Sequence, residues 1–164
     1  MTSGSGEPAP GAGRLLCDEM LAGLARLLRS GGHDVGLAEP GTPDAAVAAR
    51  AAAEGRTLIT ADRAFTAQTP GAVLLADGTP DAQARALFAA TGLPPAPAPF
   101  TRCVMDNAGV RRASAEEARA APDGAGAVWV CPACERTYWA GSHVRRMTER
   151  LEALGATAPS PAAP

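Results

Sequence analysis

Apolar and polar positions alternate between two rhythms along the first half of the chain. Arg14-Leu15-Leu16-Cys17 is a short apolar run that stops at Asp18 and suits a buried strand. Met20, Leu21, Leu24, Leu27 and Leu28 then recur at helical spacing, with Arg26 and Arg29 on the opposite face, and Gly31-Gly32 ends the pattern. His33-Asp34-Val35-Gly36-Leu37 reads as a weak second strand. Thr42-Pro43-Asp44 is a helix start, with Thr42 able to cap and Pro43 suited to the first turn. An Ala-rich helix follows to Glu54, and Gly55 stops it. Thr57–Thr60 is a third strand, Ala72–Leu75 a fourth, and Asp81–Ala90 a helix closed by Gly92. Strands alternating with helices predict a parallel, doubly wound α/β sheet.

The rhythm breaks at Pro94-Pro95-Ala96-Pro97-Ala98-Pro99, a stiff segment extended by proline. Beyond it come most of the aromatics and three of the cysteines. Val128-Trp129-Val130 and Arg136-Thr137-Tyr138-Trp139 flank Cys131-Pro132-Ala133-Cys134 as two short strands. Ser142 is placed to cap a last helix, whose Val144, Met147, Leu151 and Leu154 share one face. The expected organisation is therefore a tail at 1–13, an α/β domain at 14–92, a Pro-rich linker at 93–100, a small β-hairpin module with a terminal helix at 101–154, and a tail at 155–164.

Composition changes this picture in three places. The 46% hydrophobic fraction supports a core, but much of it is alanine, which thins that core. The net charge of −2 is no nucleic-acid footprint, yet it is uneven: residues 1–100 carry seven Arg against ten acids, and residues 101–150 carry eight against six. A nucleic-acid backbone would prefer the second half. No apolar run approaches a membrane span, and the start has no secretory h-region, so a cytoplasmic protein with reduced or metal-bound cysteines is expected.

Sites in parallel sheets form beyond the carboxyl ends of the strands. Asp18 and Asp62 fall there, Asp44 opens the helix after the second strand, and Asp77 is a candidate fourth. Clustered carboxylates supply the hard oxygens that magnesium or manganese needs, and such an ion activates water for phosphodiester hydrolysis. Each acid also has a plain reading: Asp18 as a helix cap, Asp44 as a helix-start charge, Asp62 and Asp77 as turn residues. Cys131 and Cys134, two residues apart, form one metal-binding pair. A thioredoxin-like role would need a helix after the pair, whereas the pattern there is a strand. Cys17 lies in an apolar strand and reads as a core thiol.

Several segments, in order, resemble a known family. Leu15-Leu16-Cys17-Asp18-Glu19-Met20-Leu21 with Leu24–Arg29, then Gly32-His33-Asp34-Val35, are similar to the opening of the PIN-like family named for the C-terminal RNase domain of the Mut-seven exonuclease. Asp44, Ala48-Ala49-Arg50 and Glu54–Arg63 are similar to its central motif. Arg102-Cys103, Cys131-Pro132-Ala133-Cys134, Tyr138–His143 and Arg146-Met147 are similar to its end.

The resemblance implies a PIN-type α/β fold, a magnesium- or manganese-dependent ribonuclease chemistry at Asp18, Asp44 and Asp62, and a C-terminal zinc ribbon. The second ligand pair of that ribbon begins at Cys103, and Asp106 stands where the family has cysteine. Three readings stay open: zinc on Cys103, Asp106, Cys131 and Cys134; zinc on the three cysteines plus another ligand; or a ribbon without stable metal. Arg63 is a candidate phosphate contact or a surface ion pair, and Glu19 is expected to face away or cap. His143 is a candidate for RNA contact or a role beside the site, and Tyr138 and Trp139 either stack bases or pack the ribbon. Ala61 replaces a residue that is often basic in the family, which weakens the case for a phosphate contact there. RNA is the implied partner and a membrane is not. A homodimer is left open, and an antitoxin partner has no sequence feature behind it. The alternative to an enzyme is a non-catalytic RNA- or protein-binding module on the same fold.

Overall fold

The computed structural model describes residues 13–157. The expected tails therefore lie outside the described residues, apart from Gly13 and residues 155–157. Four strands form a parallel sheet: β1 (Arg14–Cys17), β2 (Asp34–Leu37), β3 (Thr57–Thr60) and β4 (Val73–Leu74), in the order β2-β1-β3-β4. The helices between them are α1 (Ala22–Ser30), α2 (Asp44–Glu54), α3 (Arg63–Gln68) and, after β4, α4 (Pro80–Thr91). A second, antiparallel sheet follows, made of β5 (Arg111–Arg112), β6 (Val128–Val130) and β7 (Thr137–Trp139) in that order, and α5 (Ser142–Ala153) closes the chain. This is the α/β architecture expected from the sequence: a parallel sheet with flanking helices, then a small β module and a terminal helix.

The alternation of β1 decides which helix packs where. Leu15 and Cys17 point to one face and share a core with Leu24, Leu27 and Leu28 of α1, Ala84 and Leu87 of α4, Leu151 of α5 and Leu154 just after it. Leu16 points to the other face and meets Val47 and Ala51 of α2 and Phe65 of α3. Each fully buried leucine contributes roughly 2 kcal/mol. The terminal helix thus shares the core of the parallel sheet, and Arg150 adds an ion pair to Asp81 of α4 at 2.7 Å.

The proline-rich segment runs against the end of α1. Ala98 N–H donates to Gly31 O and Phe100 N–H to Ser30 O. A Cβ on Gly32, which has φ 95°, would stand 2.0 Å from Ala98 O, so only glycine allows this approach. Buried His33 clamps the same corner. Its Nδ1 accepts from Gly13 N–H, which leaves Nε2 to donate to Pro94 O.

Four local details differ from the sequence expectation. Thr42 does not cap α2: Pro43 occupies the N-cap, and the Thr42 hydroxyl donates back to Glu39 O within the preceding turn. Ser142 is already helical, and Gly141 precedes it without a side-chain cap. Helix α3 has only six residues, too short for a helical period to show in the sequence. Strand β5 consists of two exposed arginines on the sheet edge and carries no apolar alternation.

Candidate active site and metal cluster

Strands β1 and β3 are parallel neighbours, with Cys17 opposite Ile59. Asp18 and Asp62 therefore leave the sheet at the same edge. Thr60, fully buried between them, joins the two: its hydroxyl donates to Asp18 Oδ2 at 2.9 Å and accepts from Asp62 N–H at 3.0 Å. Asp18 Oδ1 caps the short turn after β1 by accepting from Glu19 N–H. Asp62 Oδ1 caps α3, accepting from Ala64 and Phe65 N–H. The cap read from the sequence at Asp18 is present, Asp62 caps α3 where a turn residue was expected, and each cap engages one carboxylate oxygen only.

Asp44 is exposed at the first turn of α2, beyond the end of β2 on the far side of β1. Asp77 is exposed beyond β4, next to β3 on the other side. All four acids thus lie along the carboxyl edge of the sheet, but only Asp18 and Asp62 are tied together. Glu19 does not face away: its Oε2 accepts from Gly41 N–H at 2.6 Å and pins the loop that leads into Asp44. Arg63 opens α3, exposed, directly after Asp62. His143 is placed elsewhere. It sits on α5 with its ring edge-on to Trp139, centroids 5.5 Å apart.

The sulfur cluster is tighter. Among the described residues, Cys103, Asp106, Cys131 and Cys134 form a group whose ligand atoms all lie within 4.8 Å of one another. The acid trio is not gathered to that spacing. Two copies of one backbone turn build the cluster. Cys103 N–H donates to Ala108 O and Asn107 N–H to Cys103 O. Likewise, Cys131 N–H donates to Arg136 O and Glu135 N–H to Cys131 O. Asn107 and Glu135 hold the same position in each turn, at φ 72° and 59°. Asp106 and Cys134 are then equivalent, each three residues after its cysteine.

The distances suit a tetrahedral ion. Cys103 Sγ lies 3.7 Å from Cys134 Sγ, and Asp106 oxygens lie 3.3 Å from Cys131 Sγ. Bonds of about 2.3 Å to sulfur place two thiolates of a tetrahedron about 3.8 Å apart. The donors therefore fit a metal ion such as zinc. Burial pushes the Cys131 thiol up to about 12, against backbone N–H groups that pull it down. Burial also works to raise the Asp106 carboxyl, but hydrogen bonds from Cys134, the Ala108 amide and Cys131 outweigh it and hold it low. Tyr138 O–H lies 3.0 Å from Cys103 Sγ and closes the cluster on one side. Cys17 is fully buried, and burial raises its thiol to about 12, as a core residue.

The first turn is built into the edge of the parallel sheet. Val35 N–H, on the free side of β2, donates to Asn107 Oδ1, and Asn107 Nδ2 donates to Asp34 Oδ1. Buried Arg29 donates to Val35 O, Val104 O and Met105 O. Asp34 also pairs with Arg56 at 2.8 Å. Burial would raise the Asp34 carboxyl, but the Arg56 and Asn107 hydrogen bonds hold it below its ordinary value.

A family model, the Mut7-C RNAse domain, matches residues 13–151, which takes in both the acid edge and the sulfur cluster. The chain belongs to the Mut7-C RNase domain family. Comparison with curated proteins and with solved structures returned no match. Membership is of the ribonuclease type, and no helix of the described residues is long and apolar enough to cross a membrane. Within this Mut7-C chain, sequence reasoning passed over Thr60 and Asn107. The only local signal for Thr60 is a hydroxyl two residues before an acid at a strand end. Asn107 had its position one residue after the substituted ligand.

Proposed function

We propose that this chain is a metal-dependent ribonuclease that hydrolyses RNA phosphodiester bonds at the carboxyl edge of its parallel sheet. The observation that carries this reading is the Thr60 hydroxyl, which holds Asp18 and Asp62 side by side where a parallel sheet presents its chemistry. Family membership supports the reaction class and RNA as the substrate.

Asp18, Asp62 and Asp44 offer the hard oxygen donors that magnesium or manganese takes. Such an ion is commonly held by one or two carboxylates plus waters and substrate phosphate. A pair fixed by Thr60, with Asp44 farther out, suits that mode better than a closed cage of three. When bound, the ion supplies a polarised water and compensates charge that builds on the phosphate oxygens. The chain's own part is positional. Thr60 orients Asp18 Oδ2, the α3 cap fixes the Asp62 carboxylate, and Glu19 anchors the loop before Asp44. Arg63 stands beside Asp62 as a candidate phosphate contact, and Asp77 flanks the edge as a weaker candidate.

In this reading residues 14–92 carry the chemistry, 93–100 link, and 101–154 hold a structural zinc on Cys103, Asp106, Cys131 and Cys134. The test is RNA cleavage with manganese by the purified full chain. Cleavage should be present in the parent and lost in Asp62→Asn. Equal cleavage by both would remove the acid site from the proposal. Zinc near one equivalent with no cleavage by the parent would favour the non-catalytic binding module instead.

A further inference from the structure

Away from the acid edge, a cavity of about 210 Å³ opens between the ribbon, α5 and the end of α1. Its walls are mostly aromatic and apolar: Phe100, Trp129, Tyr138, Trp139, Val144 and Met147. Cavities that take drug-sized molecules are typically about 300–1,000 Å³. This one has room for one flat ring system and none for a peptide helix. The ring of the wall residue Trp129 has the Arg112 guanidinium over it, 5.3 Å from the ring centroid.

The surroundings are basic. A second, shallower hollow shares Ala140 and Val144 with the cavity and continues over Gly141, Ser142 and Arg145, with Glu149 on its wall. The first turn of α5 has no acidic residue, and Arg145 and Arg146 are exposed along the helix against the single Glu149, Arg150 being paired with Asp81. Aromatic faces beside arginines are the means by which proteins hold unpaired nucleotides.

We propose that this cavity is an anchoring subsite for a single unpaired RNA base, whose neighbouring phosphates meet Arg145 and Arg146 of α5. The inference rests on RNA being the substrate. The subsite is remote from the acids. Helix α1 runs back from the carboxyl edge, and Ser30, at its end, lines the cavity. Nine helical residues separate the two ends by about 13 Å. A strand held here is therefore gripped away from the point of cleavage. Tyr138 lines the cavity and touches Cys103 Sγ, which makes the sulfur cluster the support of one wall.

The test uses the full chain carrying Asp62→Asn, so that RNA survives the measurement. Binding of a fluorescently labelled single-stranded RNA decamer is compared with a ribose-phosphate strand of the same length that lacks every base. The RNA should bind at least tenfold tighter. Adding Trp139→Ala should weaken RNA binding about 5- to 100-fold and leave the baseless strand unaffected. Val144→Trp, which fills the cavity and removes no aromatic wall, should do the same and serves if Trp139→Ala fails to fold. RNA affinity unchanged in both folded variants would assign the cavity to another class of partner and overturn the subsite, with the RNA reading intact. No RNA binding, together with no manganese-dependent cleavage by the parent, would overturn both.

Discussion

Thr60 carries no charge, yet its one hydroxyl sets the geometry of two acids. It donates to Asp18 and accepts from the Asp62 backbone, so its proton position is fixed by both neighbours. Thr60→Val keeps the shape and removes the hydroxyl. Manganese-dependent cleavage should fall about 10- to 100-fold, the usual cost of losing a residue that orients a metal ligand. Thr60→Ser should retain most of it. Equal activity in the valine variant would show that the bridge is only structural. Asp106 poses the converse case. It keeps the knuckle turn but offers oxygen where its counterpart Cys134 offers sulfur. Zinc prefers the softer donor in such sites. Asp106→Cys should therefore slow zinc loss to a competing chelator, followed by the chelator's absorbance, and unchanged kinetics would exclude Asp106 as a ligand.

At the scale of elements, the decisive contact is between β2 and the first knuckle. β2 is an edge strand, and an uncovered edge leaves backbone groups unpaired. Asn107 covers this one by accepting from Val35 N–H and donating to Asp34. Its backbone is left-handed at φ 72°, a conformation that asparagine tolerates and glycine prefers. Asn107→Gly therefore removes the side-chain bonds without straining the turn. The variant should lose about 1–3 kcal/mol in urea unfolding. A loss near zero would mean that water replaces the side chain at the β2 edge.

At the scale of the whole molecule, two buried titratable groups tie the chain's parts together, and both make it sensitive to acid. Burial lowers the His33 pKa, against the Pro94 hydrogen bond that raises it. The unfolded chain takes this proton below about pH 6.5 while the folded chain resists it, so stability falls as pH drops through that value. Asp34 is held below its ordinary value by Arg56 and Asn107 despite burial. Its contribution is complete above about pH 4, the unfolded value, and is lost as pH falls through the lower folded value. Urea midpoints measured against pH should decline in two stages. Asp34→Asn should flatten the lower stage and His33→Gln the upper. A parent profile flat from pH 7 to 5 would show that His33 is not held neutral. Because Leu151 and Leu154 sit in the first core, the parent should unfold as one unit at every pH.

The sequence by itself determined the α/β alternation, the four acids beyond the strand ends, and the cysteine pair with its oxygen-bearing counterpart. Each is a local pattern: side-chain period, cap chemistry or ligand spacing within a few residues. It did not reveal which acids are joined, what holds the knuckle to the sheet, or where α5 packs. Those depend on bonds between residues 42 apart at Thr60 and Asp18, and 73 apart at Asn107 and Asp34. No periodicity records such pairs, because they meet only when parallel strands set Asp18 beside Thr60 and the proline-rich segment returns the chain to the β2 edge. The aromatic residues near the end were visible as a cluster of types. Their arrangement as walls of a cavity, away from the acid edge, was decided by where Leu151 anchors α5 in the core of the parallel sheet.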